Sequence, residues 1–528
     1  MPGEWHNYMQ NLFPREWQEI YSPDKSRRAD VMNNDKKIVL EIQHSYCKQI
    51  LNKTTDWNKW GYNCVWIFDG RNAENTNCLD LFKCQQILKN TKEISDVIVY
   101  IYMDYEHVYP IQTSKFKKYT AKVQPITLQE FVANVQSGTI CEVIPKIEKS
   151  IVTIRQDPPG SGKTYSMTLG VINDTKYKTF IILCQEAAPL NVISENIKDH
   201  TGWKEKTKYD SRTFIYDNDD MKIIIATMDS LMYNLSNGKS DDCTRGTFNG
   251  MAETVSKNGP QLTDSGHTKF KGEYIRFCCQ AKIIVDESTK TDCDNYLVAL
   301  DRIMQETGAD LHICGDTLQS TKNSENLMKK CKTYFQSRSD VTLINTEGNE
   351  IRRFGKAGTD LLNKIIPYER LGIKRPIPHQ DAPKDIDIFC HSMKTDVLLA
   401  NLENDIVELS LEPNDVMIIC IPTYKEIFEE IQVSINNLWY NKGYDKGHFL
   451  CYLHTSEDGK PIDMSLSDNA TRMVSIHSSQ GDGRKLVYVV GLCEKNIEKY
   501  VRDDIDVELK YWSFVNVSLS RMKRRMRL

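Results

Sequence analysis

The sequence has no apolar run long enough to cross a membrane, and its first residues, MPGEWHNYM, lack the apolar core of a secretory signal peptide. Its 16 cysteines are scattered without a Cys-x-x-Cys pair, which argues against structural zinc and against a disulfide framework. No internal repeat is evident. These absences predict an intracellular, cytoplasmic chain with reduced thiols and no membrane partner; a viral source would place it in the host cytoplasm or nucleus.

An excess of positive charge is also absent, since the formal net charge is −4. Binding to a polyanion would therefore depend on local basic segments, for which 115–122 and 521–528 are candidates. The length of 528 residues allows two or three hydrophobic cores, and a content of 40% hydrophobic and 27% charged residues is ordinary for a soluble globular protein. Composition therefore limits the class of protein without indicating its chemistry.

A glycine-rich loop is the clearest feature that is present. The apolar segment 150–154 predicts a buried strand, and the loop QDPPGSGKTYS follows it directly. Glycines in such a loop let backbone N–H groups converge on phosphate oxygens, a lysine reaches the β and γ phosphates, and a hydroxyl ligates Mg²⁺. Asp157 occupies the first position of the GxxxxGKT pattern, where its charge should weaken phosphate binding unless it turns outward. The residues predicted to bind ATP are Gly160, Ser161, Gly162, Lys163, Thr164 and Tyr165.

A pair of carboxylates follows a second apolar strand, in the segment AKIIVDEST. The carboxyl end of a buried parallel strand is where ligands bind to such a sheet. We therefore expect Asp286, together with Thr164, to hold Mg²⁺, and Glu287 to orient and deprotonate the attacking water.

Further candidates for phosphoryl transfer lie downstream. The segment GDTLQ carries Gln319, whose amide could sense the γ phosphate, and NEIRR carries Arg352 and Arg353. The C-terminal SFVNVSLSR carries Arg521. Arginines from a second lobe stabilise the charge that develops on a transferring phosphoryl group, so these three are predicted catalytic residues.

In their order along 150–521, these motifs resemble those of superfamily 1 helicases: DPPGSGKT, FIILCQEAAPLN, ATMDSL, VDES, GDTLQ, NEIRR, SIHSSQGDG and VSLSR. The resemblance implies two RecA-like lobes with ATP between them and a single nucleic-acid strand across them. It also implies that Gln136 reads the adenine. The residues it assigns to the strand, or to its coupling with ATP, are Thr227, Ser475, His477, Gln480 and Gly481.

The amino-terminal segment RRADVMNNDKKIVLEIQHS predicts a hairpin with a turn at 33–35. In its second strand Ile38, Leu40 and Ile42 share one face, so Glu41 projects from the other. Asp30 lies on the partner strand. Asp30 and Glu41 could together hold Mg²⁺ or Mn²⁺ and activate water against a phosphodiester.

The strings WHNYMQ, RRADV, LEIQHS and NCVWIFDG resemble the CoiA-like nuclease domain, which is related to the PD-(D/E)xK nucleases. The resemblance implies that His6 belongs to the site. Gln43 stands where a lysine is common in the wider nuclease group, and a neutral amide cannot lend positive charge to the reaction. The Glu-Ile-Gln string is nevertheless the CoiA-like pattern.

The sequence thus predicts an α/β protein in which a PD-(D/E)xK-like nuclease domain (1–138) precedes two RecA-like parallel-sheet P-loop lobes (139–345 and 346–528), with an insertion near 237–271. The expected partner is single-stranded or tailed duplex DNA; protein partners are unknown. Two alternatives stay open: an RNA helicase or remodeller, and a motor whose front domain only binds DNA.

Overall fold

The computed structural model describes most of the chain. The described residues are 3–44, 50–71, 98–102, 105–112, 124–142, 149–185, 188–205, 207–210, 213–218, 220–236, 245–263, 267–270, 273–277, 280–287, 294–320, 327–383, 387–390, 394–420, 425–454, 464–476, 478–479, 483–502 and 506–528.

The amino-terminal domain is built on a seven-stranded sheet whose strands follow in chain order. Three central strands run parallel, and the flanking pairs are antiparallel. The strands are β1 Gln18–Tyr21, β2 Arg28–Asn33, β3 Ile38–Gln43, β4 Asn63–Asp69, β5 Ile98–Tyr102, β6 His107–Gln112 and β7 Ile126–Thr127. The helices are α1 Glu4–Gln10, α2 Ile50–Lys59 and α3 Leu128–Ser137. The predicted hairpin is confirmed, because β2 and β3 pair antiparallel with Val31 opposite Leu40.

Both faces of this sheet are covered. Ile38, Leu40 and Ile42 pack into one core, as the alternation along the strand predicts, and Val39 packs into the core on the opposite face. The second face is covered by α2, which contributes Trp57. Glu41 shares that second face and is therefore fully buried instead of projecting from an open surface.

The first lobe contains an eight-stranded sheet in the order β10-β11-β12-β9-β15-β16-β8-β17. Its strands are β8 Ser150–Gln156, β9 Thr179–Cys184, β10 Thr207–Asp210, β11 Thr213–Asp217, β12 Lys222–Thr227, β15 Ala281–Val285, β16 Asp310–Gly315 and β17 Val341–Glu347. A separate two-stranded ribbon pairs β13 His267–Phe270 with β14 Glu273–Arg276. Six neighbouring strands of this sheet, β12, β9, β15, β16, β8 and β17, run parallel to one another. Strand β16 lies between β8 and β15. This order is RecA-like and places the glycine-rich loop and the carboxylate pair at the same edge.

Helices cover both faces of this sheet, so strands such as β9 are buried along their whole length. They are α4 Lys163–Ile172, α5 Ala188–Thr201, α6 Met228–Leu235, α7 Arg245–Asn258, α8 Asp294–Thr307 and α9 Leu327–Gln336. The segment expected to be an insertion holds α7, whose Met251, Ala252 and Val255 belong to the main core of the lobe. That part of 237–271 is therefore an integral helix.

The second lobe has a six-stranded, wholly parallel sheet in the order β20-β25-β24-β21-β23-β22. Its strands are β20 Asp387–Phe389, β21 Val416–Cys420, β22 Cys451–His454, β23 Thr471–Ser475, β24 Arg484–Val490 and β25 Met522–Arg527, with the short pair β18 Glu350–Ile351 and β19 Ile377–Pro378. Its helices are α10 Lys356–Ile365, α11 Thr395–Leu409, α12 Lys425–Asn441, α13 Glu494–Val501 and α14 Val507–Leu519. The first sheet continues to Glu347, two residues past the expected boundary at 345, because β17 pairs with β8 along its full length.

The basic carboxyl terminus is a strand of the second lobe. Arg525 and Arg527 are buried and both donate to Asp405, which is fully buried, and Arg525 also pairs with Glu408 and Asp387. These two guanidinium groups therefore serve the core of the lobe. The other candidate basic segment, 115–122, lies outside the described residues. No helix within the described part of the chain combines the length and apolar character needed to span a bilayer.

Candidate functional site

The glycine-rich loop links the end of β8 to the start of α4. Gly160 and Gly162 have φ angles of 73° and 83°, a region that only glycine adopts easily. A Cβ atom at Gly160 would lie 2.6 Å from Cβ of Arg353, so the position also requires glycine for close approach. Gly162 caps α4, whose amino-terminal N–H groups and dipole favour an anion.

Lys163 lies over this loop and is 6% exposed. Its Nζ donates to the carbonyl oxygens of Asp157 and Pro158, at 3.2 Å in both cases. The ammonium group is therefore held inside the loop by two neutral acceptors. A phosphate oxygen is a stronger acceptor for an ammonium donor than a carbonyl, so the same group suits a bound polyphosphate.

Asp157 does not point into the loop as a free charge. Its carboxylate accepts from Nε of Arg155 at 2.5 Å, and its side chain is 5% exposed. A Cβ atom at Gly348 would collide with Oδ1 of Asp157, so this glycine leaves room for the carboxylate. The pairing with Arg155 offsets the repulsion that the sequence predicted for an acidic residue at this position.

Thr164 and Asp286 come together at the carboxyl edge of the sheet. The Thr164 hydroxyl donates to Oδ2 of Asp286 at 2.7 Å. Asp286 is fully buried, and burial together with the neighbouring Glu287 raises the pKa of its carboxyl to about 6. A hydroxyl and a desolvated carboxylate side by side are hard oxygen ligands of the kind that Mg²⁺ takes.

Several buried oxygens around this point have no hydrogen-bond partner among the described residues: Ser161 Oγ, Asp286 Oδ1 and Glu287 Oε2. Buried polar atoms in native proteins are almost always paired, so such atoms indicate a missing ligand or water. Glu287 also has φ of 51°, a left-handed conformation that is rare outside glycine and clusters at functional sites. These features fit a bound nucleotide, a cation and its waters.

The turn 315–320 is tied directly to the phosphate-loop strand. Oδ1 of Asp316 accepts from the backbone N–H of Leu318 at 3.0 Å and from Nε2 of Gln156 at 3.3 Å. Oε1 of Gln156 accepts from the N–H and the hydroxyl of Thr317. Gln319, the predicted sensor of the γ phosphate, is 2% exposed within this turn. Gln156 was not among the predicted site residues.

The predicted arginines meet the loop from the second lobe. The backbone N–H groups of Arg352 and Arg353 both donate to the carbonyl of Gly160, at 2.9 Å and 3.1 Å. Nη1 of Arg353 donates to the carbonyl of Ser520 at 3.0 Å. Arg521 is 1% exposed and its Nε donates to the carbonyl of Val517.

Gly483 lies close to both Arg353 and Arg521. A Cβ atom there would lie 2.7 Å from the carbonyl oxygen of Arg521 and 3.3 Å from Cζ of Arg353. The structure thus joins the loop, the arginine pair and the Ser520–Arg521 step, which are separated by hundreds of residues in the chain.

The predicted nucleic-acid residues occupy the strand ends. Thr227 ends β12 and caps α6, accepting from the N–H of Ser230 at 3.2 Å, and Ser475 ends β23 in the other lobe. Both lie at carboxyl edges of parallel sheets, where ligands bind. His477, Gln480 and Gly481 lie outside the described residues.

Two further residues predicted to bind the nucleotide, Tyr165 and Gln136, have no contact with the phosphate loop among those described above. Tyr165 is exposed and its hydroxyl is 3.2 Å from Nε2 of His200. Gln136 lies on the exposed side of α3 in the amino-terminal domain, where its carbonyl accepts from Asn33. Their assignment to the nucleotide stays a prediction.

In the amino-terminal domain Glu41 is enclosed by α2. Nζ of Lys53 donates to Oε2 of Glu41 at 2.7 Å, and Nε1 of Trp57 donates to Oε1 at 3.0 Å. Burial raises the pKa of Glu41 to about 7, although Lys53 opposes the shift. Lys53 was not predicted. Its signal in the sequence is a lysine and a tryptophan four residues apart, which lie on one face of a helix.

The charge of Asp30 adds to burial in raising the pKa of Glu41, so the two carboxylates are neighbours, but the hydrogen-bond and ion-pair partners of Asp30 differ from those of Glu41. Oδ2 of Asp30 accepts from the N–H of Ile42 at 2.6 Å, and its Oδ1 is 3.5 Å from Nε2 of His6. The hydrogen bond with Asp30 raises the pKa of His6 against the effect of burial. Among the described residues, His6, Glu19 and Asp30 bring ligand atoms within 4.8 Å of one another, a spacing that a metal ion could bridge.

Glu19 was not predicted from the sequence. Its Oε1 accepts at 2.8 Å from Nε2 of Gln10, which also donates to the carbonyl of Asp30. Glu19 has φ of 56°, a conformation that a sequence pattern does not reveal. Gln43, the remaining predicted residue, is half-buried at the end of β3.

Fold and site together define a P-loop protein with two RecA-like lobes that follow a CoiA nuclease-like domain. Residues 6–136 match the family model described as "Competence protein CoiA, nuclease-like domain". No curated protein matches the chain.

Similar solved structures include the arterivirus nonstructural protein 10 helicase with DNA, at 12% identity over 71% of this chain and 60% of that one, with a TM-score of 0.33. Another is Dbp5 of S. cerevisiae bound to RNA and ADP BeF3, at 10% identity over 71% and 78%, with a TM-score of 0.34. The chain thus spans only 60% of the arterivirus helicase. TM-scores this low do not support a functional assignment. The assignment of function rests on the contacts described above.

Proposed function

We propose that this chain is an ATP-driven helicase or translocase of superfamily 1 that acts on DNA and carries a tethered, metal-dependent nuclease domain. The observation that supports the motor most directly is the convergence at Gly160. Its carbonyl accepts from the backbone N–H groups of Arg352 and Arg353, and the guanidinium of Arg353 donates to the carbonyl of Ser520, next to Arg521. A phosphate loop held by the backbone of the segment that carries these arginines suits a site in which second-lobe arginines act on the nucleotide.

Each residue of the motor site has a role that its contacts support. Lys163 would exchange the carbonyls of Asp157 and Pro158 for β and γ phosphate oxygens. Thr164 and Asp286 would hold Mg²⁺, which when bound neutralises charge on the phosphates. Glu287 would orient and deprotonate the attacking water, and Arg353 and Arg521 would stabilise the transition state.

The nuclease site is proposed around the β2–β3 hairpin. Asp30, with His6 and Glu19 beside it, would hold the divalent ion, which when bound activates water against the phosphodiester. Glu41 is the other predicted ligand. Lys53, at 2.7 Å from Glu41, would supply the positive charge that Gln43 lacks. Tethering this site to a motor keeps it at a high effective concentration on the same DNA.

The experiment that tests the motor compares ATP turnover with matched DNA and RNA strands, and then strand displacement on duplexes that carry a single-stranded tail at either end. We expect ATP turnover to require a strand and DNA to stimulate it more than RNA. Stronger stimulation by RNA would favour the RNA remodeller. Absence of ATP turnover with either strand would contradict a motor function.

Nucleotide binding should depend on pH through Asp286. Burial and Glu287 raise the pKa of this carboxyl to about 6, so it is protonated below that pH and cannot ligate a cation, whereas it is ionised above it. We expect the Mg²⁺-dependent part of ATP affinity to weaken as the pH falls through about 6. Calorimetric titrations on both sides of this pH, with and without Mg²⁺, measure the effect. Asp286→Asn should remove the pH dependence, and a wild-type affinity that is flat across this range would argue against Asp286 as a ligand.

Lys53→Met should reduce DNA nicking at least about tenfold while leaving ATP turnover unchanged. The substitution keeps the length of the side chain but removes its charge, so the pKa of buried Glu41 would rise further and the carboxyl would be protonated at neutral pH. Lys59→Met, on the same helix but 68% exposed, is the matched control. Nicking at the wild-type rate in Lys53→Met would exclude this role for the lysine.

A further inference from the structure

The helix that leads to Arg521 is held against the first lobe by two polar side chains. Nδ2 of Asn516 donates to Oδ2 of Asp316 at 3.3 Å and to the carbonyl of Leu318 at 3.0 Å. One and a half turns earlier, Nζ of Lys510 donates to the hydroxyl of Ser320 at 3.1 Å. Asn516 and Lys510 are both almost fully buried. The helix α14 is therefore docked on the turn 315–320 at two positions along its length.

The contacted turn is itself part of the nucleotide site. Asp316 shapes it by accepting from the N–H of Leu318, and Gln156 links both Asp316 and Thr317 to the end of β8. The turn carries Gln319. A displacement of Asp316 would therefore be transmitted to the γ-phosphate sensor and to the strand that leads into the phosphate loop.

The same helix determines where the second-lobe arginine lies. It ends at Leu519, Ser520 accepts from Arg353, and Arg521 follows immediately. The contact of Asn516 thus lies one turn before the end of the helix at Leu519, and Arg521, which would stabilise the transferring phosphoryl group, follows two residues later. A longer or missing contact at Asn516 would leave that end of α14 free to shift away from the loop.

We propose that Asn516 is a positioning residue for ATP hydrolysis: by holding Asp316 across the two lobes, it sets the distance of Arg521 and Gln319 from the phosphate loop. This inference rests on the proposed motor function. Loss of a contact that orients groups which act on the transition state lowers kcat and leaves the binding of ATP nearly unchanged.

Exchanging the side chains of Asp316 and Asn516 gives a specific test, because this pair joins a charged acceptor to a neutral donor. Asn516→Asp keeps the shape of the side chain but opposes two carboxylates where the wild type has a donor and an acceptor. The exchanged pair, Asp316→Asn with Asn516→Asp, restores a donor and an acceptor across the same 3.3 Å gap, although an aspartate at 516 does not restore the hydrogen bond to the carbonyl of Leu318. The Oδ1 atom of an asparagine at 316 can still accept from Leu318 and Gln156.

The measurement is strand-stimulated ATP turnover of the full chain, with kcat and KM for ATP determined separately. We expect Asn516→Ala and Asn516→Asp each to lower kcat about tenfold with KM changed less than about twofold, and the exchanged pair to recover part of the loss of Asn516→Asp. Glu508→Gln, in an exposed ion pair on the same helix, is the control and should match the wild type. ATP-induced thermal stabilisation establishes that each variant is folded, and Asn516→Asp is the isosteric variant if Asn516→Ala does not fold.

Wild-type kcat in both single variants, or an exchanged pair no better than Asn516→Asp, would overturn the positioning role while leaving the motor assignment intact. Equal loss of ATP binding and turnover in Asn516→Ala would also overturn it, since that is the signature of a merely structural role. A wild-type chain without strand-stimulated turnover would overturn the motor assignment, and this inference with it.

Discussion

Lys163→Ala is expected to lower strand-stimulated ATP turnover by at least about 100-fold, the loss typical when one charge-stabilising donor is removed from a transition state. Lys163 is nearly buried and donates to the loop carbonyls of Asp157 and Pro158, and within the described part of the chain no ion pair competes with its use by phosphates. The loss should fall mainly on kcat, because the ammonium group is aimed at the oxygens on which charge develops. Coupled-enzyme measurement of phosphate release with saturating single-stranded DNA provides the readout.

The control for this prediction is Lys178→Ala. Lys178 lies in the same lobe, is half-exposed, and its nearest acidic partner is 3.9 Å away and 90% exposed. Its removal should not change turnover, because exposed ion pairs contribute little. Nicking by the front domain should persist in Lys163→Ala, since the two sites are separate. Unchanged ATP turnover in Lys163→Ala would refute the proposed motor.

Asp30→Asn is expected to reduce Mg²⁺- or Mn²⁺-dependent nicking by more than about 100-fold while ATP turnover is preserved. Residues behind a metal ligand typically contribute a factor of 10–100 to metal affinity or activity, so loss of a direct ligand should exceed about that range. The substitution keeps the shape that accepts the N–H of Ile42 but removes the charge that faces His6 and Glu19. Conversion of supercoiled plasmid to the nicked form, with each metal, measures it.

Glu19→Gln and Glu41→Gln in the same assay separate the two candidate ligand sets. If the ion lies between His6, Glu19 and Asp30, Glu19→Gln should raise the metal concentration needed for half-maximal nicking, whereas Glu41→Gln should change the rate without that shift. Asp35→Asn, in the exposed hairpin turn, is the matched control. A wild-type chain that never cuts DNA with either metal would make the front domain a binding module, which is the second alternative.

The phosphate loop and the carboxylate strand could be predicted because their signals are local. A continuous apolar run predicts a strand buried on both faces, and GSGKT after it needs the left-handed glycines that the structure has at 160 and 162. The hairpin at β2–β3 could be predicted for the same reason, from alternation and an Asn-Asn-Asp turn.

The contacts that complete both sites could not be predicted in this way. Lys53 reaches Glu41 because α2 packs on the buried face of β3, and the spacing of Lys53 and Trp57 places them on one helix face without indicating that this face covers Glu41. Glu19 points toward Asp30 from a left-handed backbone position. In the sequence nothing distinguishes Asn516 from other helix residues. Its contact with Asp316 depends on the packing of α14 against the turn 315–320.

The amino-acid order by itself thus determined the elements and the types of chemistry: a phosphate loop, hard oxygen ligands, basic residues downstream and an acidic hairpin in front. Those features depend on backbone conformation and side-chain chemistry within a few residues. Only the tertiary structure decided which charges neutralise each other. It enclosed Glu41 with Lys53, paired Arg525 and Arg527 with Asp405, and brought Arg353 to Gly160 and Ser520. The reason is that electrostatic interactions depend on distance and burial in space, and folding sets both independently of separation along the chain.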